Sequence, residues 1–202
     1  MANGKVCTGF SMPWVATYAE SQGTVTYSGG IPLARGVDVS ISIESDSDNN
    51  FYADNVLAET DRQAFSSGTL TLTVDGLKDA ARKLISGVST VESVTVTTGT
   101  AVSFDVYDDQ ASVPYVGVGF VVRYMEDGTT SYVPVIIRKC KFSDPEITAA
   151  TQEENIDWQT QSLEATIMRD DTANHAWRMI GVAQTTEAAA YNAIKAVLKA
   201  GS

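Results

Sequence analysis

In the string "DSDNNF", Asp46, Asp48 and Asn50 stand at the first, third and fifth positions of a calcium-binding loop, where alternating side-chain oxygens ring a hard cation. The pattern then fails. Phe51 takes the place of the glycine that permits the sharp turn, and Leu57 that of the bidentate glutamate. The string therefore reads as a solvated turn. Asp105, Asp108 and Asp109 in "VSFDVYDD" raise the question of paired carboxylates for acid–base catalysis, but Asp105 and Asp109 merely share the solvent side of a strand. His175 is the only histidine, which argues against histidine-based zinc sites and nucleophilic triads. Cys7 and Cys140 form no CxxC and lie too far apart in sequence for a zinc pattern, so they are expected to be reduced and packed. "GVGF" (Gly117–Phe120) lacks the following helix of a phosphate cradle, and its glycines mark a bend or a close approach of backbones. No catalytic residue, cofactor-binding residue or metal ligand is expected, and the chain does not read as an enzyme.

The bulk properties narrow the class further. The 202 residues carry 14 Lys plus Arg against 25 Asp plus Glu, a formal net charge of −11. The one dense basic cluster, "IIRKCKF" with Arg138, Lys139 and Lys141, is too small to outweigh that charge, so stable binding to a phosphate backbone is not expected. With 44% hydrophobic and 19% charged residues the chain can bury a core. No apolar run reaches membrane-spanning length and no secretory pattern opens the sequence, so a soluble protein folding in a cytoplasm is expected, without a membrane partner.

The elements that position these residues are mostly strands. "VDVSISIE" sets Val37, Val39, Ile41 and Ile43 on one face and Asp38, Ser40, Ser42 and Glu44 on the other. "TLTLTV" directs Leu70, Leu72 and Val74 inward, "VSFDVYD" directs Val102, Phe104 and Val106 inward, and "LEATIM" directs Leu163, Ala165 and Ile167 inward. Such alternation implies antiparallel sheet with one buried face. Asp127-Gly128 joins two β-rich runs into a hairpin, in which Pro134 demands an edge or a bulge. One helix is expected around Leu77, Ala80, Ala81, Leu84, Ile85 and Val88, capped by Asp75 and stopped near Gly87. Thr186 should cap a C-terminal helix with Glu187 in its first turn and a stripe of Tyr191, Ile194, Val197 and Leu198. Residues 20–36, with Gly29-Gly30 and a proline, and the polar residues 143–160 read as long loops or arms, which commonly bind something. Trp14 and Trp158 are either packed or anchor a neighbouring subunit.

The order of these segments resembles a known family. "GTVTYSGGIPLARG", "VDVSISIE", "NNFYADN", "SSGTLTLTVDGLKDAARKLISGV", "YVGVGFVVRY", "YVPVIIRKCKFSDPE" and "TQEENIDWQTQSLEATI" together are similar to the major tail proteins of long-tailed, non-contractile bacteriophages of Gram-positive hosts. The likeness extends over roughly residues 10 to 200, and the family landmark is Tyr52 to Asn55. The departures fall in the N-terminal leader and at 107–115. The resemblance implies a single domain over 1–202: an antiparallel β-sandwich of the phage tail-tube fold, flanked by an α-helix, with a C-terminal helix and extended arms. It further implies a structural virion protein, assembled in the host cytoplasm, whose copies close into hexameric rings that stack into the tail tube. Its partners would be further copies of itself, a tape-measure protein and a terminator or initiator complex. DNA would pass through without specific binding.

On that reading "NNFYADN" is architectural: Phe51 and Tyr52 pack beneath the sheet or on a neighbour, and Asp54-Asn55 fix a turn. Asp38, Glu44, Asp105 and Glu164 are the candidate lumen-facing acids, whose charge would repel passing DNA. Trp14, Tyr27, Ile31 and Trp158 are the candidate inter-subunit contacts, the last three in or near the arms at 20–36 and 143–160. Two other readings stay open: a related ring-forming terminator or baseplate protein, and a monomeric β-sandwich binding module.

Overall fold

The computed structural model describes residues 4–45, 50–60, 65–97, 99–109, 111–151 and 158–199. The fold is mainly β, antiparallel and sandwich-like, with two helices. Its main sheet is built from β1 (Val6–Ser21), β2 (Thr24–Pro32), β3 (Gly36–Ser45), β6 (Phe65–Val74), β9 (Val116–Glu126), β10 (Thr129–Phe142), β11 (Gln161–Met168) and β12 (Arg178–Ile180), in the order β2-β1-β9-β10-β11-β6-β3 with β12 beside β10. Two hairpins stand outside it: β4 (Asn50–Ala53) with β5 (Val56–Thr60), and β7 (Thr90–Thr95) with β8 (Ala101–Val106).

Turn chemistry sets the hairpins. Gln22-Gly23, Asp54-Asn55 and Asp127-Gly128 each hold two successive residues at positive φ, the combination whose twist matches the flanking strands. The Asp54-Asn55 turn expected from "YADN" is thus present, with Ala53 paired to Val56 across it. Pro134 sits within β10, and its carbonyl accepts from the Gly181 amide. Its missing donor therefore falls on the side of the three-residue β12, at the sheet's short outer margin.

The sheet curls until β1 packs on β3. One core cluster joins Val15, Val118, Phe120, Val135 and Ile137 from β1, β9 and β10 to Leu70, Leu72, Leu163, Ala165 and Ile167 from β6 and β11. The inward phases expected for β6 and β11 hold, with those five side chains at most 2% exposed. Near the closure Phe10 of β1 lies over Gly36 of β3, where any Cβ would come within 2.1 Å of the ring. Val39 and Ile41 point inward as expected, but Val37 is 54% exposed, because the pairing register slips between Gly36 and Asp38.

Helix α1 (Asp79–Ser86) is shorter than its apolar pattern suggests. It inserts Ala81 and Ile85 beneath the core and ends at Gly87 in the left-handed conformation. Asp75 is not its cap: Lys78 holds that position, and the Asp75 carboxylate instead accepts from the backbone and side-chain nitrogens of Arg35. Helix α2 (Glu187–Val197) is capped as expected by the Thr186 hydroxyl, which accepts from the Ala189 amide at 3.2 Å. It lies on the outer side of β1, β9 and β10, burying Ala190, Ile194 and Leu198 against Trp14, Ala16, Val121 and Ile136. Glycines make this seat: a Cβ on Gly119 would come within 2.4 Å of Ile194, and one on Gly117 within 2.4 Å of Tyr27. The close backbone approach read from "GVGF" is this contact.

The expectation of a loop or arm over residues 20–36 gives way to a strand. β2 pairs along β1 from Ser21–Thr24 to Trp14–Pro32, and Tyr27 is buried at its centre. Gly29, at φ 62, and Gly30 fall at the irregularity between Val15 and Thr17, so the glycines shape a bulge. Residues 143–151 and 158–160 carry neither helix nor strand.

Candidate functional site

The most uniform surface is the outer face of β3, β6 and β11. Cross-strand register aligns Asp38 with Thr73, Ser40 with Thr71, Ser42 with Thr69 and Glu44 with Ser67, and on the other side Ser162 with Thr73, Glu164 with Thr71 and Thr166 with Thr69. Every outward position in these stretches is Ser, Thr, Asp or Glu, while the alternate positions build the core. The Ser67 hydroxyl donates to Glu44 at 2.8 Å. Cations border this face: Lys141, one strand away, pairs with Thr166, and Arg169, just past β11, donates to the Phe65 carbonyl. Hydroxyl side chains in cross-strand pairs keep such a surface hydrated, and its three carboxylates disfavour an approaching polyanion.

Asp38, Glu44 and Glu164 therefore share one face, as the sequence suggested. Asp105 does not. It lies on β8, where Lys83 holds its carboxylate at 2.6 Å and Arg82 at 3.1 Å, leaving its side chain 13% exposed. The Lys83 ammonium, with Arg82 beside it, holds the Asp105 carboxyl below the usual carboxylate range. Its job is to tie the β7–β8 hairpin to α1. Of the residues of "VSFDVYD" expected inward, only Val106 is half-buried. The face that carries Asp105 turns to α1, and Val102 and Phe104 on the other face are 40% and 54% exposed.

The four aromatic and aliphatic contact candidates separate in the same way. Trp14 is buried edge-on against Tyr191, with ring centres 5.4 Å apart. Tyr27 is buried edge-on against Tyr18 and donates its hydroxyl to the Arg138 carbonyl at 2.8 Å. Both are spent inside the subunit, so neither has a side-chain face left for a neighbour. Ile31 is half-buried opposite Val15. Trp158 alone of the four stands clear, at 84% exposure.

A polar cluster fastens the chain next to Tyr27. Asp170, with a fully buried side chain, lies 2.6 Å from the Arg138 guanidinium and accepts from the Thr172 amide and hydroxyl. Asp171 accepts from Lys139 at 2.6 Å and from the Tyr18 hydroxyl at 2.8 Å, and these two donors hold its carboxyl below the usual range. Burial pushes the Tyr18 hydroxyl up to about 12 and that of Tyr27 higher still. His175 belongs to this loop, its Nδ1 3.4 Å from the Asp170 carbonyl oxygen. Cys140 is buried as expected, whereas Cys7 is exposed at the start of β1. Among the described residues no group of three or more His, Cys, Asp or Glu could hold a metal ion. Asp46 and Asp48, with the side chains of Asn50, Phe51 and Tyr52, lie outside the described residues.

Sequence reading missed the partner strands of the two free hairpins. "VLAET" and "TVESVT" are each short, and only their pairing to "NFYA" and "AVSFDV" makes them strands. Both hairpins expose apolar side chains, Val56 and Leu57 on one, Val94 and Phe104 on the other.

The chain matches no protein-family model and no curated protein. The class defined by fold and surface is therefore an antiparallel, sandwich-like β domain with a hydroxyl-rich acidic face. No helix in the described residues is long and apolar enough to cross a membrane.

Proposed function

We propose that this chain is a self-assembling structural subunit whose copies close into hexameric rings and stack into a hollow tube, the tail tube of a long-tailed bacteriophage. The observation that carries the reading is the β3–β6–β11 face, whose outward positions over 38–44, 67–73 and 162–166 bear only hydroxyls and carboxylates above an apolar core. A wall past which DNA must slide needs hydration, no cationic grip and a backbone that does not yield. Asp38, Glu44 and Glu164 are the lumen acids on this reading.

The sheet edges support it. β2 and β3 close the two ends of the strand order, and the outer edge of each has no strand partner among the described residues. Continuing one subunit's β3 side into the next subunit's β2 side would pair those edges and remove the main aggregation liability of an open sheet. A tape-measure protein would then run through the same lumen as the DNA, and a terminator complex would cap the stack.

The test is negative-stain electron microscopy of the purified chain at high concentration, with light scattering on the same sample. Hollow tubes of regular axial repeat are the expected outcome. Isolated closed rings that never stack would assign the chain to a terminator or baseplate role. A chain that stays monomeric at every concentration, and with tail-initiator complexes added, would overturn the reading.

A further inference from the structure

We propose that the patch carrying Ile147 and Trp158 docks on the β12–α2 margin of a second copy of this chain, with Ile147 entering the apolar cleft there and Glu146 facing Arg178. The inference rests on the self-assembly reading above, but not on the assembly being a tube.

Among the described residues, the large apolar side chains more than 80% exposed fall in two places. Ile147 and Trp158, at 92% and 84%, mark the first. Ile147 and Thr148 line one cleft with Gln159 and Thr160, so Trp158, next to Gln159, stands near Ile147. The Gln161 side chain donates to the Glu146 carbonyl at 3.0 Å and fixes the segment. Residues 143–160 have acids at positions 144, 146, 153, 154 and 157 and no Lys or Arg. Neither Asp144 nor Glu146 has a cation partner among the described residues. The other charges of that cleft are taken up within the subunit, Arg82 by Asp105 and Asp75 by Arg35.

The second place is the free side of β12, where Val182 is 82% and Ile180 60% exposed. β12 pairs only with residues 135–137 of β10. The Arg138 amide donates to the Trp177 carbonyl and the Gly181 amide to that of Pro134. Alternate residues of β12 therefore turn their backbone groups to β10, and Arg178 and Ile180 turn theirs outward. Between β12 and α2 lies a cleft of about 110 Å³, room for one branched aliphatic side chain, walled by Pro134, Ile136, Met179, Ala193 and Val197. The charge around it is positive: residues 178–199 carry Arg178, Lys195 and Lys199 against Glu187 alone. Arg178 lies over the Trp177 ring, and among the described residues neither it nor Lys199 has a carboxylate partner. The acids nearby are engaged, Glu187 by the Ser11 hydroxyl, Asp170 by Arg138, Asp171 by Lys139 and Glu20 by the Gly23 amide. An apolar knob between free carboxylates thus matches an apolar cleft beside free cations. In a chain of net charge −11, whose copies otherwise repel, that match selects this approach.

The contact lies between copies. Ile136 is at the cleft, and Phe142 ends β10 six positions on, about 20 Å along the strand. Gln161 stands four positions before Ala165, which faces Phe142, so Glu146, held by Gln161, lies farther out still. A subunit cannot bring its own Ile147 to its own cleft. Donor and acceptor are different surfaces of one subunit, so the contact is head-to-tail and repeats from copy to copy.

The experiment is sedimentation velocity on the full chain over a concentration series, comparing wild type with Ile147→Ser, Trp158→Ser, Glu146→Lys, Arg178→Glu and the double charge exchange. All these side chains are exposed, so circular dichroism should show the native fold in every variant. Ile147→Ser should weaken association about thirtyfold and Trp158→Ser about tenfold. Each charge reversal should weaken it about fivefold, and the double exchange should recover most of that loss. Association unchanged by Ile147→Ser, or a double exchange no stronger than its parents, would overturn the contact and leave self-assembly standing. Assemblies that obey the exchange but form open chains, without tubes in electron micrographs, would uphold the contact and sink the tube. A wild-type chain that is monomeric throughout overturns both.

Discussion

Across β1, β9 and β10 both sides of the sheet are covered, by the inner core on one side and by α2 on the other. Across β11, β6 and β3 only the inner side is covered. The two halves share strand direction and one continuous core, yet their outer positions have opposite chemistry. β9 presents Gly117, Gly119 and Val121 to its helix, while β6 presents Thr69, Thr71 and Thr73 to its surroundings. The apolar half uses its outer face to hold the subunit together. The hydroxyl half packs no element on its outer face, which is free to serve as a surface.

The largest effect should come from placing the same charge on each half. Val121→Asp would bury a carboxylate beneath α2 with no cation among the described residues around it, and should leave no cooperatively folded protein at room temperature. Thr69→Asp, on the hydroxyl face between Ser42 and Thr166, should shift stability by no more than about 1 kcal/mol. Urea unfolding of the two variants makes the comparison, and comparable losses in both would show that the hydroxyl face is packed. A smaller change sharpens the covered half. Gly119→Ala forces a methyl toward Ile194 and should cost about 1–3 kcal/mol, with the mobility of α2 raised in amide exchange. An unchanged unfolding midpoint would mean that α2 has room to spare.

The smallest effect is a pH dependence confined to the covered half. Tyr18, whose ordinary value is 10.0, is pushed up to about 12 chiefly by burial. The folded state therefore holds this proton more tightly than the unfolded chain. Its contribution is whole below pH 10 and is lost as pH rises toward 12. Tyr18→Phe should give up the hydrogen bond to Asp171, about 1 kcal/mol, and flatten the alkaline fall in melting temperature. A fall as steep in the variant as in wild type would move the cause to Tyr27, which burial raises in the same direction.

The same contrast explains what the sequence disclosed. Period-two alternation located β3, β6 and β11 and assigned most of their inward residues, because one face of each is packed and the other is wet. It located β8 equally well, but Val102 and Phe104, expected inward, are exposed. Alternation tells which residues share a side, and the side that packs is decided by what lies opposite, here Lys83 and Arg82 on α1. β2 was hidden by Gly29-Gly30 and Pro32, which read as loop punctuation yet sit in a bulged strand tied to β1. Asp75 looked like a helix cap because its spacing fits one, and a more distant partner, Arg35, claims it instead. The shared acidic face was legible for Asp38, Glu44 and Glu164 because each sits on a main-sheet strand, and Asp105 was misplaced with its hairpin.

The two sulfurs lie in opposite surroundings. Cys7 is open to solvent at the head of β1, while Cys140 is wholly enclosed, donates to the Val116 carbonyl at 3.4 Å, and has its thiol pushed far up by burial. The native subunit therefore offers one reactive sulfur and the opened subunit two. Titration with a thiol reagent becomes a gauge of how much of a preparation is intact, read from the core itself.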